Sequence, residues 1–96
     1  MKQIIALQEL CGNFAENKDI ARDIRETKLK PWLNSEEDRI VLDFKNIDSS
    51  TQSFIHAMIS DIFQQGGEAM LEKFEFTNCN KAIKSLIGTV INYSLE

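Results

Sequence analysis

Five polar side chains crowd one short segment in the middle of the chain: Asp48, Ser49, Ser50, Thr51 and Ser53. Hydroxyl groups of this kind can accept a phosphoryl group or form hydrogen bonds with a docked partner. The same residue types also form turns and cap helices, because their short side chains bond to nearby backbone groups. We therefore interpret the segment either as turn and cap chemistry or as a phospho-acceptor or partner-binding loop.

The single histidine, His56, lies three residues after Ser53. Serine-hydrolase chemistry needs a nucleophile, a base, an orienting group and an oxyanion hole. Ser53 or Ser60 is within reach of His56 along a helix. Asp48 is the nearest candidate to orient the imidazole. Such a set would lie on about one turn of helix with no oxyanion hole in view, so we predict that the protein is not an enzyme.

The sequence contains no recognisable metal or cofactor motif. Cys11, Cys79 and the lone histidine cannot complete a standard zinc site without carboxylates. The pair Gly66-Gly67 lacks the lysine and the spacing of a phosphate-binding loop. We therefore expect no metal and no cofactor, and we interpret the two cysteines as small buried or half-buried thiols in a reducing compartment.

The charge balance narrows the class of partner. The 96 residues carry a formal net charge of −4, which argues against nucleic acid and against an anionic membrane surface, because both attract basic faces. No apolar run approaches the length of a bilayer span, and the apolar core of the N-terminus is too short for a signal peptide. We expect a single cytoplasmic domain over residues 1–96, since a chain of this length holds one core.

Apolar residues at strand spacing predict strands over residues 3–10, 39–44 and 73–77. Alternation sorts the side chains of the second and third strands onto two faces of a sheet. One face is apolar and comprises Ile40, Leu42, Phe44, Phe74 and Phe76. The other is half polar and comprises Arg39, Val41, Asp43, Lys73, Glu75 and Thr77. We expect the first face to be covered and the second to be open to water or to a partner.

Apolar residues at helical spacing predict three helices. The first is predicted to begin with a cap at Asn17, to run to about Leu29 and to stop at Pro31. The second is predicted to run from Phe54 to Gly66-Gly67. The third is predicted to begin with a cap at Asn80 and to extend to Ile91. A charged surface loop at 34–38 separates the first helix from the next strand. Because Ser53 directly precedes the apolar repeat of the second helix, we predict that it lies at or within one residue of the N-cap.

The resulting order is βαβαβα, which is typical of an α/β fold. Parallel strands that are joined in sequence by right-handed crossovers carry their helices on the same side. We therefore predict a small, mostly parallel sheet with helices mainly on one face. The predicted core comprises Leu42, Phe44, Phe54, Met58, Ile62, Phe74, Phe76, Ile83, Leu86 and Ile87. The open sheet face or an edge strand is a candidate surface for a homodimer.

Two stretches together resemble a known family. One is residues 41–47 followed by a polar loop and Ser53-Phe54, and the other is the strand at 74–78 with its closing amphipathic helix. They resemble the STAS-like domain family of unknown function over most of the chain. That family is similar to STAS domains, the fold of anti-sigma-factor antagonists.

The resemblance implies both a fold and a role. In anti-sigma-factor antagonists, a partner kinase of the GHKL ATP-binding type phosphorylates a serine at the start of a helix. That serine corresponds to Ser53, with Thr51 and Phe54 in place of the aspartate and glycine of an Asp-Ser-Ser-Gly loop. The implied function is a non-enzymatic regulatory domain that binds a protein partner. The alternative is a small-molecule or nucleotide-binding sensor that uses the same loop.

Overall fold

The computed structural model describes residues 2–34 and 39–96. The predicted charged loop therefore falls mostly outside the described residues. In chain order the elements are β1 Lys2–Ala6, α1 Leu7–Cys11, β2 Phe14–Ala15, α2 Lys18–Ile24, a π-helical turn Arg25–Leu29, α3 Lys30–Leu33, β3 Arg39–Asp43, β4 Ser49–Ser50, α4 Gln52–Gly66, α5 Ala69–Lys73, β5 Phe74–Thr77 and α6 Lys81–Leu95. None of the helices in the described part of the chain is long and apolar enough to cross a bilayer.

The main sheet has the order β1–β3–β5, and both of its strand pairs are parallel. Ile5 pairs with Leu42, and Leu42 pairs with Phe76, so apolar side chains from successive strands share one face. This face belongs to a core that also contains the apolar stripes of α2, α4 and α6. The predicted α/β fold with a small parallel sheet and helices mainly on one face is confirmed.

The opposite face of the sheet is open but not uniformly exposed. Ile4 on β1 is 63% exposed, whereas its register partner Val41 on the central strand is only 5% exposed. Lys2 on one edge strand lies 3.4 Å from Glu75 on the other edge strand. This ion pair passes over the central strand β3. The aliphatic parts of the Lys2 and Glu75 side chains therefore cover Val41.

Most of the predicted core is confirmed. Phe76 and Leu86 are the exceptions, since they are only partly buried and pack against the edge of the core. Phe76 lies on β5, which among the described residues is an edge strand of the main sheet. Phe74 on the same strand packs into the core, where the centroid of its ring lies 5.5 Å from that of Phe63.

The first helix does not stop at Pro31, and that prediction is wrong. The chain passes through the π-helical turn and continues as α3, which contains Pro31. In a regular helix the proline ring would clash with the carbonyl four residues earlier, and the wider turn relieves that contact. The extra residue in the turn also shifts the helical repeat by one position, so that Leu29 is fully buried.

Several short elements were not predicted. The first strand ends at Ala6 rather than at residue 10, because Leu7 and Cys11 have helical spacing and Leu7 is buried. The two-residue strands β2 and β4 and the single-turn helix α5 are too short for periodicity to reveal. The glycine end of α4 is confirmed, with Gly67 as its C-cap at φ 67° and ψ −157°.

Candidate functional site

The polar loop is held to the chain segment that precedes α2. Its two-residue strand β4 pairs in parallel with β2. The backbone N–H of Asp48 donates to the Asn13 carbonyl at 2.8 Å, and that of Thr51 donates to the Ala15 carbonyl at 3.1 Å. The Ser50 hydroxyl donates to the same Ala15 carbonyl at 2.8 Å. The segment is therefore a fixed part of a second small sheet.

Asn80 ties the loop to the last helix. Its Oδ1 accepts from the N–H of Ile83 at 2.9 Å, which confirms the predicted cap of α6. Its Nδ2 donates to the carbonyl of Asp48 at 2.9 Å. One side chain thus serves as a helix cap and as a clamp on the loop.

We expect Asn80→Ala to lower the free energy of unfolding by about 1–2 kcal/mol, because both the cap and the loop contact are lost. The matched control is Asn17→Ala. Asn17 caps α2 by accepting from Asp19 N–H at 2.9 Å, with no bond to the loop. It should cost about 1 kcal/mol. Hydrogen exchange checks the difference, since only the Asn80 variant should speed exchange at residues 48–51. Equal exchange at those amides in both variants would contradict the clamp.

Some hydroxyls of the loop form hydrogen bonds within the fold, and others have no partner among the described residues. Thr51, not Ser53, is the N-cap of α4, and its Oγ1 accepts from the N–H of Phe54 at 3.1 Å. The prediction that Ser53 lies within one residue of the cap is therefore wrong by one position. Ser53 is exposed in the first turn of α4, and within residues 2–34 and 39–96 its hydroxyl has no hydrogen-bond partner. Ser49 is likewise exposed without a side-chain partner in these ranges.

Ser53 lies beside an open cleft between α2 and α4, which we call the α2–α4 cleft. Its volume is about 530 Å³. The lining residues are Lys18, Arg22, Arg25, Gln52, Ser53, His56, Ala57 and Asp61. Sequence reasoning found Ser53 and His56 but missed the basic residues. Their spacing of four and then three places them on one helical face, and this was the signal available.

One end of the cleft is closed by Arg25. Its Nη1 donates to the carbonyl of Ala57 at 2.9 Å and lies 3.5 Å from the carboxylate of Asp61. The side chain is only 16% exposed. Its Nε is buried without a hydrogen-bond partner among the described residues, and Glu26 is 3.7 Å from it. Arg25 therefore links the π-helical turn to α4. Because the nearby carboxylates of Asp61 and Glu26 neutralise its charge, it is poorly suited to bind an anionic ligand.

Asp43 anchors the turn that leads from β3 into the loop. Its Oδ1 accepts from Asn78 Nδ2 at 2.8 Å and from the Lys45 N–H at 3.0 Å. The bond from Asn78, followed by the bond from Lys45, holds the pKa of the Asp43 carboxyl below its ordinary value, against the opposing effect of burial. The carboxylate is thus a structural acceptor at the base of the loop.

The remaining potential ligands are dispersed. In the part of the chain that the structure describes, no three His, Cys, Asp or Glu side chains form a group that could hold a metal ion. Cys11 and Cys79 are half-buried, and burial raises the pKa of both thiols. Raised pKa values keep them protonated at neutral pH, which disfavours nucleophilic chemistry.

Comparison with known proteins places the chain in a family. No significant match was found among curated proteins or among solved structures. A family model described as the STAS-like domain of unknown function (DUF4325) matches residues 21–84. The matched stretch contains the loop, β3, α4, β5 and most of the cleft lining. Because it covers two thirds of the chain, the protein belongs to the STAS-like domain family of unknown function.

Proposed function

We propose that this domain is a non-enzymatic regulatory module that binds a protein partner through residues 48–53 and the exposed side of α4. Phosphorylation of Ser53 controls that binding. The observation that carries the proposal is the contrast among the hydroxyls. The hydroxyls of Ser50 and Thr51 are hydrogen-bonded in the fold, whereas that of Ser53 is exposed at the start of a long helix and has no partner among the described residues.

The position of Ser53 suits a charge switch. A kinase can reach an exposed hydroxyl without unfolding the domain. A phosphoryl group there would add roughly two negative charges next to the positive end of α4, which favours it. On the partner-facing surface the same charge would repel an acidic partner and remove a hydrogen-bond donor. By resemblance to anti-sigma-factor antagonists, the kinase is of the GHKL ATP-binding type.

The environment of Ser53 supports a role without catalysis. Ser53 and His56 both line the cleft but form no hydrogen bond with each other. The hydroxyl of Ser60 is buried and lies 2.9 Å from that of Ser94 on α6, whereas His56 is exposed and lines the cleft. Asp48 is exposed, and its carbonyl is held by Asn80. Among the described residues, neither Ser53 nor Ser60 has the base and orienting acid that a hydrolase requires.

We expect Ser53→Asp to keep the fold but to weaken partner binding at least about tenfold, because a carboxylate suits the first turn of a helix yet changes the contact surface. The partner is first captured from the native cell with the wild-type domain and identified by mass spectrometry, which also maps phosphorylated residues. Binding of each variant is then measured by titration.

Two controls sharpen this test. Ser53→Ala removes the hydroxyl without adding charge and should weaken partner binding less than Ser53→Asp does. Ser85→Asp adds the same charge to the exposed side of α6 and should bind like wild type. Equal partner binding by Ser53→Asp and wild type would refute control by charge at this position. Phosphate found elsewhere and never on Ser53 would do the same.

A small-molecule sensor is the second candidate, and the α2–α4 cleft is the observation that favours it. Among the described residues, seven of the eight that line the cleft carry a polar or charged side chain, which offers a small ligand several donors and acceptors. Calorimetric titration of the isolated domain with ATP tests the nucleotide form of this idea. Saturable binding that is lost in His56→Ala would favour the sensor, and its absence would leave the protein-binding role.

A further inference from the structure

The charges of α2 are sorted onto two sides of the helix. Lys18 and Arg22 line the α2–α4 cleft, whereas Asp19 and Asp23 line a separate hollow on an adjoining face of α2. Arg22 retains a long 3.7 Å contact to Asp19, and both side chains are more than half exposed. The acidic residues of this helix therefore leave the cleft side basic, although the whole chain is acidic.

Lys18 lies at the Ser53 end of the cleft. The segments that precede α2 and α4 are bonded to each other, through Asn13 with Asp48 and Ala15 with Thr51. The two helices therefore start side by side, which brings Lys18 near the first residues of α4. Arg25 contacts Ala57 and Asp61 one to two turns further on. Arg25 is thus neutralised at the far end, whereas Arg22 keeps only its long, exposed contact to Asp19.

Several donors converge at this near end. Lys18 has no ion pair among the described residues. Gln52 and Ser53 are the first two residues of α4, so their backbone N–H groups have no helical acceptor. The hydroxyl of Ser53 and the imidazole of His56 line the same space. A compact anion with several oxygens can use all of these donors together.

We propose that the Ser53 end of the α2–α4 cleft is a binding site for a phosphoryl group, held by Lys18, Arg22 and the first turn of α4. This inference deepens the proposed function and rests on it for one of two phosphate sources. The group is either attached to Ser53 itself or belongs to a free phosphate. The donors at this end of the cleft are cations, backbone N–H groups and a hydroxyl, so they recognise the phosphate oxygens themselves.

The first experiment uses inorganic phosphate and the full ¹⁵N-labelled chain. We expect saturable amide shifts centred on Gln52 and Ser53, and about tenfold weaker binding in the double variant Lys18→Gln, Arg22→Gln. The matched control is Lys2→Gln, Arg39→Gln, which removes the same two residue types from the open face of the sheet. It should bind phosphate like wild type.

The second experiment places phosphoserine at position 53 by genetic encoding. We expect it to raise the thermal midpoint by about 4 °C or more in the wild-type background and by much less in the Lys18→Gln, Arg22→Gln background. If phosphoserine 53 raises the thermal midpoint but inorganic phosphate does not bind, the site serves the phosphoryl group attached to Ser53. If only inorganic phosphate binds, the site serves a free phosphate ligand.

The proposal fails if neither source shows a difference between the two backgrounds, or if the cleft variant and the sheet variant lose phosphate binding equally. These results are separate from the partner titration described above. Ser53→Asp can weaken partner binding while the cleft ignores phosphate, in which case the proposed function stands and only the phosphoryl site is lost.

Discussion

Replacing Phe44 with alanine should lower the free energy of unfolding by about 3–5 kcal/mol. Phe44 follows β3 directly and is fully buried. Its N–H donates to the carbonyl of Thr77 at 2.9 Å, and its carbonyl accepts from the N–H of Ile47 at 3.1 Å. The backbone is therefore fixed, so the structure cannot collapse readily into the space that the ring leaves. Urea denaturation followed by circular dichroism measures the loss.

Phe14→Ala is the matched control for this change. Phe14 is the same residue type but is 58% exposed on β2, so its truncation should cost about 1 kcal/mol or less. If the two variants lose similar stability, Phe44 does not fill the core and the assigned facing of β3 is incorrect. Unchanged slopes of the unfolding curves would show that both values refer to the same transition.

Gly67→Ala should cost about 1–3 kcal/mol. At φ 67° and ψ −157° Gly67 has a backbone conformation that is almost confined to glycine. An added Cβ would meet no atom within 4 Å, so the cost comes from the backbone alone. The N–H of Gly67 also closes α4 by donating to the carbonyl of Phe63 at 2.8 Å. Thermal unfolding of the variant gives the loss directly.

Gly88→Ala is the opposite test. Gly88 lies in the middle of α6, and a Cβ there also meets nothing within 4 Å. Alanine has the higher helix propensity and restricts the unfolded chain, so this variant should gain about 0.4–1 kcal/mol. Two substitutions of identical chemistry then differ in sign. A loss of stability in both would mean that contacts, not backbone conformation, decide the outcome.

The architecture was predictable because its signals are local. Alternation in β3 and β5 and the helical repeats of α4 and α6 each lie within about 15 residues. The alternation of strands and helices then predicts a parallel sheet with its strands in sequence order. Right-handed crossovers between those strands place the helices on one face. The caps at Asn17 and Asn80 are equally local, since the donor and acceptor are two or three residues apart.

The errors arose where distant parts of the chain decide local structure. Thr51 and Ser53 are both suitable caps for α4, and the bond from Thr51 to Ala15 selects the first of them. The π-helical turn depends on burying Leu29, which no local repeat indicates. The strand formed by Ser49 and Ser50 exists because β2 lies beside it.

The candidate site was predictable only in part. Ser53 and its polar neighbours stand out in the sequence because they lie next to one another. The cleft does not stand out, because its basic residues come from α2, some 30 positions earlier in the chain, and only the packing of two helices brings them to Ser53. A sequence pattern can identify a candidate acceptor, but the charges that surround it are a property of the fold.

The bonds that fix the polar loop also determine when it forms during folding. The contact from Ser50 to Ala15 spans 35 positions, and that from Asn80 to Asp48 spans 32. Such long loops must close before either bond can form, and folds that depend on distant pairings fold slowly. Ser53 therefore acquires its surroundings only after both crossovers have been completed. A kinase or a partner that recognises the assembled loop would therefore bind only molecules that have completed folding.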